Sequence, residues 1–215
     1  QAEGYLLGLL IGDGTLKADK AVISVWAPEL KAVGQGTVAF AATGADGIMR
    51  AAMAAAATLP HRADFKGFQR PVTGRGETRL ASAALWKLAH ELGMAPGYKA
   101  ITVAMERQSS AFAQGLLSGL FDSEGSVQGT QDKGLSVRLS QSDQALLQTV
   151  QRMLLRMGIA STLYRNRRTA AERNLPNGKG GMQTYATRAQ HELVISGDNL
   201  AVFAERVGFC DTDKA

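Results

Sequence analysis

The sequence predicts an α+β protein made of two pseudo-symmetric copies of one unit, each running helix, β-hairpin, helix, β-hairpin, helix. Three observations carry that expectation. Residues 6–14 read Leu-Leu-Gly-Leu-Leu-Ile-Gly-Asp-Gly and residues 117–125 read Leu-Ser-Gly-Leu-Phe-Asp-Ser-Glu-Gly, so apolar, glycine and acid-glycine positions recur at a constant offset. The likeness continues downstream: Val22-Ile23-Ser24-Val25 parallels Leu135-Ser136-Val137-Arg138-Leu139, and the stretch from Leu85 to Gly93 parallels that from Leu200 to Gly208. Finally, 215 residues with 45% hydrophobic and 20% charged side chains are an ordinary globular balance, and a chain of this size buries roughly 70% of its unfolded surface. The two units are expected at 1–105 and 106–215. The period is far too long for a solenoid, whose repeats run about 20–50 residues.

Within each copy the first helix is expected at 3–13 and 112–123. A β stretch at 21–26 and 134–140 completes the first hairpin around turns at 17–20 and 129–134. The second helix follows at 28–42 and 143–157, with Gly44 and Gly158 as stop signals. The second hairpin pairs 64–72 with 77–81 and 160–167 with 183–195, turning at Gly74-Arg75-Gly76 and at 176–181. The third helix is expected at 83–92 and 197–206. Residues 51–57, Ala-Ala-Met-Ala-Ala-Ala-Ala, leave two readings open: alanine favours helix, whereas the repeat places loop or strand there. Trp26 and Trp86 sit in apolar-patterned stretches and are expected in the core.

Charge and composition exclude several function classes. Twenty-four Lys and Arg against 19 Asp and Glu give +5, which favours a polyanionic partner. The single cysteine, Cys210, cannot form an internal disulfide or a multi-cysteine zinc site, and fits a reducing, cytoplasmic setting. His61, His90 and His191 are too scattered for a His-rich metal site. No signal-peptide pattern is visible, and the longest apolar run, from Ala51 to Leu59, is far short of the ~20 residues of a membrane span.

The first helices carry the chemistry. Gly8 and Gly12 are four apart, as are Gly119 and Ser123, so each pair falls on one helix face and allows a second backbone to approach closely. Glycine inside a helix costs about 1 kcal/mol relative to alanine. Its recurrence at matched positions implies that the two helices pack face to face. Each helix then ends in an acid followed by glycine, Asp13-Gly14 and Glu124-Gly125. An acid at the negative end of the helix dipole is disfavoured by ~0.3–1 kcal/mol, and two such acids repel each other when the helices pair. A divalent cation offsets both penalties, and carboxylates with backbone carbonyls are hard oxygen ligands suited to Mg²⁺.

Both segments resemble the LAGLIDADG motif of homing endonucleases, in the dodecapeptide (DOD-type) form of intein-encoded enzymes. The resemblance runs from Tyr5 to Lys214. It implies two αββαββα units packed through their motif helices, with antiparallel sheets forming a saddle for double-stranded DNA. It also implies a site-specific double-strand DNA endonuclease: metal-dependent phosphodiester hydrolysis at a long asymmetric target, by a monomer with no obligate protein partner and no membrane association. The metal-binding acids are then Asp13 and Glu124, joined by the helix-end residues Gly12 and Ser123, around two or three Mg²⁺ ions for which Mn²⁺ or Ca²⁺ substitutes in binding. The copies depart from the pattern at Ile11, where Asp is common, and at Glu124, where Asp is commoner. Asp122 lies two residues before Glu124 and is expected off the interface face.

The same resemblance places a catalytic lysine beside each centre. Lys99 and Lys214 match, each six residues past the glycines Gly93 and Gly208, and a lysine there stabilises charge on the phosphate or positions the attacking water. Candidate DNA-binding cations are Arg62, Lys66, Arg70, Arg75 and Arg79 in the first copy, and Arg138, Arg165, Arg167, Arg168, Arg173, Lys179 and Arg188 in the second. Arginine reads guanine bidentately, and Gln141, Gln183 or Gln190 is suited to adenine. Self-splicing needs a nucleophile at the first residue and a His-Asn end, whereas the chain reads Gln1-Ala2-Glu3 and Asp213-Lys214-Ala215 at its termini. The expectation is an excised or free-standing endonuclease domain. The alternative is a catalytically silent nucleic-acid-binding relative of regulator or maturase type. Such regulators typically lose the motif acids, and both remain here.

Overall fold

The computed structural model describes residues 1–26, 44–70, 76–130, 132, 134–177 and 181–215. The helix expected at 28–42, and the hairpin-tip residues Arg75 and Lys179, lie outside the described residues. The chain divides into two compact units, Gln1–Gly125 with Ala201–Ala215, and Ser126–Leu200.

The first unit runs α1 (Ala2–Ile11), β1 (Gly14–Leu16), β2 (Ala21–Trp26), α2 (Gly44–Ala56), β3 (Phe68–Gln69), β4 (Glu77–Ser82), α3 (Ala83–Glu91), a short α4 (Val103–Glu106) and α5 (Ser110–Glu124). The strands form one antiparallel sheet in the order β1-β2-β4-β3. Its register sets Ile23 opposite Leu80, and both are fully buried. Strand alternation therefore turns Val22, Ser24, Trp26, Glu77 and Arg79 to the opposite face.

Helices α1 and α5 form the centre of this unit. Residues Gly4–Ile11 are all buried, as are most of Phe112–Asp122. A helix that is apolar all round requires such burial. The expected glycine seam is present and longer than expected. A Cβ on Gly4 or Gly8 would overlap the carbonyl oxygens of Phe112 and Leu116, and one on Gly115 or Gly119 those of Gln1 and Tyr5. Beyond Gly8, Gly12 faces the Ser123 hydroxyl. Each half of the seam thus repeats a small residue every fourth position. Ser109 caps α5 by accepting the Phe112 N–H at 3.3 Å.

One expectation fails in this unit and an open one is decided. Gly44 is the first described residue of α2, the helix that it was expected to stop lying outside the described residues, and the ambiguous alanine run 51–57 lies largely within α2. The small side chains Ala45, Ala52, Ala55 and Ala56 are what it buries, so helical propensity prevails over the repeat. Trp26 is not core: it is 56% exposed, because it ends a strand whose inward position falls on Val25. Trp86 is half-buried, with its indole N–H donated to the Lys17 carbonyl at 3.0 Å.

The second unit is built from β5 (Gly125–Thr130), β6 (Gly134–Gln141), α6 (Gln144–Arg156), β7 (Thr162–Arg168), β8 (Ala171–Pro176), β9 (Met182–Thr187) and β10 (Gln190–Ser196), with α7 (Asn199–Arg206) leading back to the first unit. Its sheet has the order β5-β6-β10-β7, the same topology as the first. Leu147, Val150, Met153 and Leu154 make the buried stripe of α6, which packs on the sheet carrying Val137, Leu139, Leu193 and Ile195. Asp143 caps α6, accepting the Ala145 and Leu146 N–H groups at 2.9 and 3.2 Å. The expected continuous strand 183–195 is instead broken at Arg188-Ala189. Here the connection 169–189 replaces the short 70–76 of the first copy, and its extra length folds as an exposed ribbon of β8 and β9. A bulge shifts the β7–β10 register between Gln190 and Glu192. It is accommodated by Asn166 at φ 50, a residue tolerant of that region.

The seam makes a signed prediction. Gly→Ala inside a helix normally stabilises by about 1 kcal/mol. At Gly8 or Gly119 it will instead destabilise by ~1–3 kcal/mol, the range for overpacking, as read from urea unfolding. A stabilised variant at either position would mean the helices do not touch there.

Candidate active site

The site is assembled at the C-terminal ends of α1 and α5, wholly within the first unit. The seam brings Gly12 against Ser123 and the Glu124 side chain, so the residues that end the two helices are neighbours. Asp13 keeps one side open to solvent and Glu124 is half-buried. Partial burial raises the pKa of Asp13, while Lys99 and Lys214 pull it back down. Burial likewise raises Glu124, and the charge of Asp13 raises it further against the two lysines. The four groups are therefore near enough to act on one another.

Each lysine sits on one helix end. The Lys99 ammonium donates to the carbonyls of Leu10, Ile11 and Gly12 at 3.2, 3.3 and 3.2 Å, and to that of Gly14. Burial lowers its pKa, opposed by Asp13 and Glu124. Lys214 donates to the carbonyl of Asp122 and pairs with Asp211 at 3.4 Å. Both cations thus occupy the negative pole of a helix dipole, where a positive charge is stabilising. Gly93 and Gly208 precede them at positive φ, 91° and 63°. That conformation, closing α3 and α7, turns the chain back towards the helix ends.

Asp122 holds Lys214 in place, a role the sequence did not reveal. Its carboxylate accepts the Tyr5 hydroxyl from α1 at 2.7 Å and the backbone N–H groups of Cys210 and Asp211, both at 3.0 Å. It therefore does reach across the helix pair, contrary to the expectation from spacing. Burial pushes up the pKa of Asp122, opposed by these donors. Burial and the Asp122 charge push the Tyr5 hydroxyl up in turn, so it stays a neutral donor. The same C-terminal turn is tied to α2, where the Gly44 N–H donates to Asp213 at 2.9 Å. A cavity of about 220 Å³ opens beside the site, lined by Asp13, Trp26, Ser123, Asp211 and Lys214 among others.

The donor set fits a hard divalent cation. Among the described residues no cluster of three or more His, Cys, Asp or Glu side chains is placed to hold a metal. Asp13 and Glu124 would hold one together with helix-end carbonyls, that of Gly12 on displacing the Lys99 ammonium that it accepts at 3.2 Å. Their desolvation and mutual repulsion are what a cation relieves.

The remaining candidates are placed as follows. Arg79 and Arg138 lie on the outward sheet faces, Arg79 on β4 and Arg138 on β6, and Arg167 stands near the bulge of β7, 5.5 Å from the Tyr164 ring centre. All three are bound to buried glutamates, discussed below. Arg62 pairs with Asp64 at 3.1 Å in the open. Lys66, Arg70, Arg165, Arg168, Arg173 and Arg188 are exposed. Gln141 is half-buried at the end of β6, in alternation with Leu139 and Val137 rather than with Arg138. Gln183 is exposed on the ribbon and Gln190 half-buried at the bulge. Sequence reading missed Gly4, Gly115, Glu77 and Glu192. The first two were findable, since they extend the four-residue spacing back by one turn; burial of the glutamates was not.

Residues 111–208 match the family model of the LAGLIDADG-like domain. The chain also aligns over 96% of its length with the homing endonuclease I-DmoI in complex with DNA and Mn, covering 96% of that chain at 18% identity and a TM-score of 0.52. The fold is the two-unit LAGLIDADG fold. It is equally that of full-length DUF199/WhiA from Thermatoga maritima, matched over 96% of this chain and 55% of that one at 14% identity and TM-score 0.53. Other I-DmoI structures of similar likeness hold target DNA with Mg, or DNA with Ca. Among curated proteins, an 84-residue stretch is 38% identical to ribonucleoside-diphosphate reductase NrdEB subunit alpha of Bacillus subtilis (strain 168) and of Bacillus phage SPbeta. That stretch is 39% of this chain, and the chain spans only 8% of each reductase. No helix among the described residues is long and apolar enough to cross a membrane.

The paired helix ends predict a pH-dependent cost. A carboxylate whose pKa is higher folded than unfolded binds more protons in the folded state, so its ionisation destabilises the fold as pH rises past the unfolded value. In EDTA at neutral pH, Asp13→Asn with Glu124→Gln will therefore melt above the parent. The gap will close as pH falls through the ordinary carboxylate range, measured by thermal unfolding at several pH values.

Proposed function

We propose that the chain is a site-specific, metal-dependent double-strand DNA endonuclease of the LAGLIDADG homing type. One observation supports this above the rest: two carboxylates at two paired helix ends, each with a lysine ammonium over a helix end. The acids stand against the helix dipoles and repel each other, and a fold in need of stability alone has no use for them there. Asp13 and Glu124 would hold the metal with the Gly12 and Ser123 carbonyls. When bound, Mg²⁺ would supply Lewis acidity at the scissile phosphate and charge for the leaving oxygen. Lys99 and Lys214 donate to phosphate oxygens or orient the attacking water, and stabilise negative charge developing beside the two acids. Mn²⁺ or Ca²⁺ would substitute in binding, as their presence with DNA in the I-DmoI structures suggests by analogy.

The duplicated units are taken as 1–105 and 106–215; packing divides the chain at Gly125 because α5 joins α1. Their outward sheet faces and exposed cations would contact duplex DNA, bound by one monomer acting in the cytoplasm. The intein-encoded origin is supported by the match to a small fraction of a long reductase chain, as expected for an element inserted in an unrelated host.

The test is selection of a binding site from a randomised duplex library, followed by cleavage of the selected site in Mg²⁺. The parent will cut both strands. Asp13→Asn or Glu124→Gln will lower the rate by on the order of 100-fold or more, and Lys99→Met or Lys214→Met by about 100-fold. A parent that binds the selected duplex but cuts neither strand in Mg²⁺ or Mn²⁺ would transfer the reading to a catalytically silent nucleic-acid-binding protein of the same fold.

A further inference from the structure

A buried glutamate lies on the outward face of each sheet, at the same place in the repeat. Glu77 and Glu192 are separated by the offset that also relates Gly93 to Gly208 and Lys99 to Lys214. Glu77 stands opposite Trp26 on the neighbouring strand, and Glu192 stands opposite Ser140. Both alternate away from the core-facing Leu80 and Leu193, yet they are only 5% and 9% exposed.

What buries them is arginine. Glu77 accepts Arg79 Nε and Nη2, each at 2.7 Å, one on each oxygen, and the Ser24 hydroxyl at 2.9 Å. Glu192 accepts Arg138 Nη1 at 3.3 Å and the Ser140 hydroxyl at 3.4 Å, and pairs with Arg167 Nε at 3.5 Å. Arg138 is further fixed by donating Nε to the Ser136 hydroxyl at 2.9 Å. The acids are buried and the guanidiniums stay partly open, with the Arg79 side chain 43%, that of Arg138 27% and that of Arg167 56% exposed.

A carboxylate on a face that meets a polyanion is unfavourable unless it serves the contact. As a source of stability a buried ion pair is weak, because desolvation offsets the attraction. What it supplies is order. Arg79, gripped along its Nε–Nη2 edge, has given up its rotamers before binding and keeps its Nη1–Nη2 edge for a ligand, whereas Arg138 is held at Nε by Ser136 and at Nη1 by Glu192, and Arg167 at Nε alone. Bidentate recognition of guanine O6 and N7 requires a fixed plane, and lysine cannot reproduce it.

We infer that Glu77 and Glu192 are positioning residues for base readout, holding Arg79 in one unit and Arg138 with Arg167 in the other against base edges of duplex DNA. This rests on the DNA-binding reading above and goes beyond it, because it separates arginines that read sequence from cations that only hold phosphate. It also makes the half-sites unequal: one arginine from the glutamate's own strand serves the first unit, and two from neighbouring strands serve the second.

The experiment is site selection from a randomised duplex library in Ca²⁺, read by sequencing. Glu77→Gln will lose base preference, about tenfold, at the positions that Arg79→Ala loses. Glu192→Gln will do so at the positions lost by Arg138→Ala, and other positions will be kept. Affinity for random-sequence DNA will be unchanged or tighter, whereas a merely structural role would weaken binding to every sequence alike. Adding Glu77→Gln to Arg79→Ala will relax the profile no further. If Glu77→Gln does not fold, Arg79→Lys, which keeps both charges, must lose the same positions. Parental profiles in Glu77→Gln and Glu192→Gln, or a uniform loss, overturn the inference while leaving DNA recognition standing. A parent that enriches no sequence overturns the DNA reading and the inference together.

Discussion

Everything at the candidate site depends on the backbone contact between α1 and α5. Helices usually approach through side chains, at 8–10 Å between axes. Here Gly4, Gly8, Gly115 and Gly119 leave carbonyl oxygens where a Cβ would otherwise stand. That contact makes the two helix ends neighbours, and so brings two negative dipole poles and two acids to one place. The fold then has an electrostatic problem of its own making. Lys99 and Lys214 answer it by donating to the carbonyls of the helix ends themselves, which places two cations beside the acids without consuming the acids as ion-pair partners.

The two copies reach this arrangement by different routes. In the first, Ile11 stands where the second has Asp122, and Lys99 needs no carboxylate tether because four carbonyls receive it. In the second, Lys214 lies in a turn beyond α7, outside any helix or strand, so its order depends on tertiary contacts. Asp122 supplies them by clamping the N–H groups of Cys210 and Asp211, and Asp213 fastens the turn to the start of α2. An acid that spacing alone would set aside is therefore the anchor of one candidate catalytic lysine.

The parts of the structure legible in the sequence are those written in periodicity and repetition. Glycine every fourth residue announced the seam, because no other cause explains a helix-weakening residue at matched positions twice. The paired lysines were legible only because Gly93 and Gly208 served as rulers. Where the copies diverge, the repeat misled. It argued against the helix of the 51–57 alanine run, and it hid the β8–β9 ribbon inside an expected single strand. Trp26 followed the apolar composition of its strand in the sequence and the alternation of its strand in the structure. Glu77 and Glu192 were invisible because burial of a charge depends on partners brought together from separate strands, which no local pattern encodes.

The fold itself does not decide between cutting and binding. The homing endonuclease I-DmoI and DUF199/WhiA share it with this chain at identities of 14–19%, and function resides in sites rather than in folds. What separates the readings is which residues are retained at a cost to the fold. Asp13 and Glu124 both have raised pKa values through burial, so their ionised forms are tolerated rather than favoured by the metal-free protein. The outward arginines pose the same question in reverse, since pairing with buried glutamates removes net positive charge from the face proposed to meet DNA. Neither arrangement is what stability or general affinity for DNA would select. Each makes sense as preorganisation for a more exacting ligand: a hard cation at the helix ends, and a particular order of base pairs across the sheets.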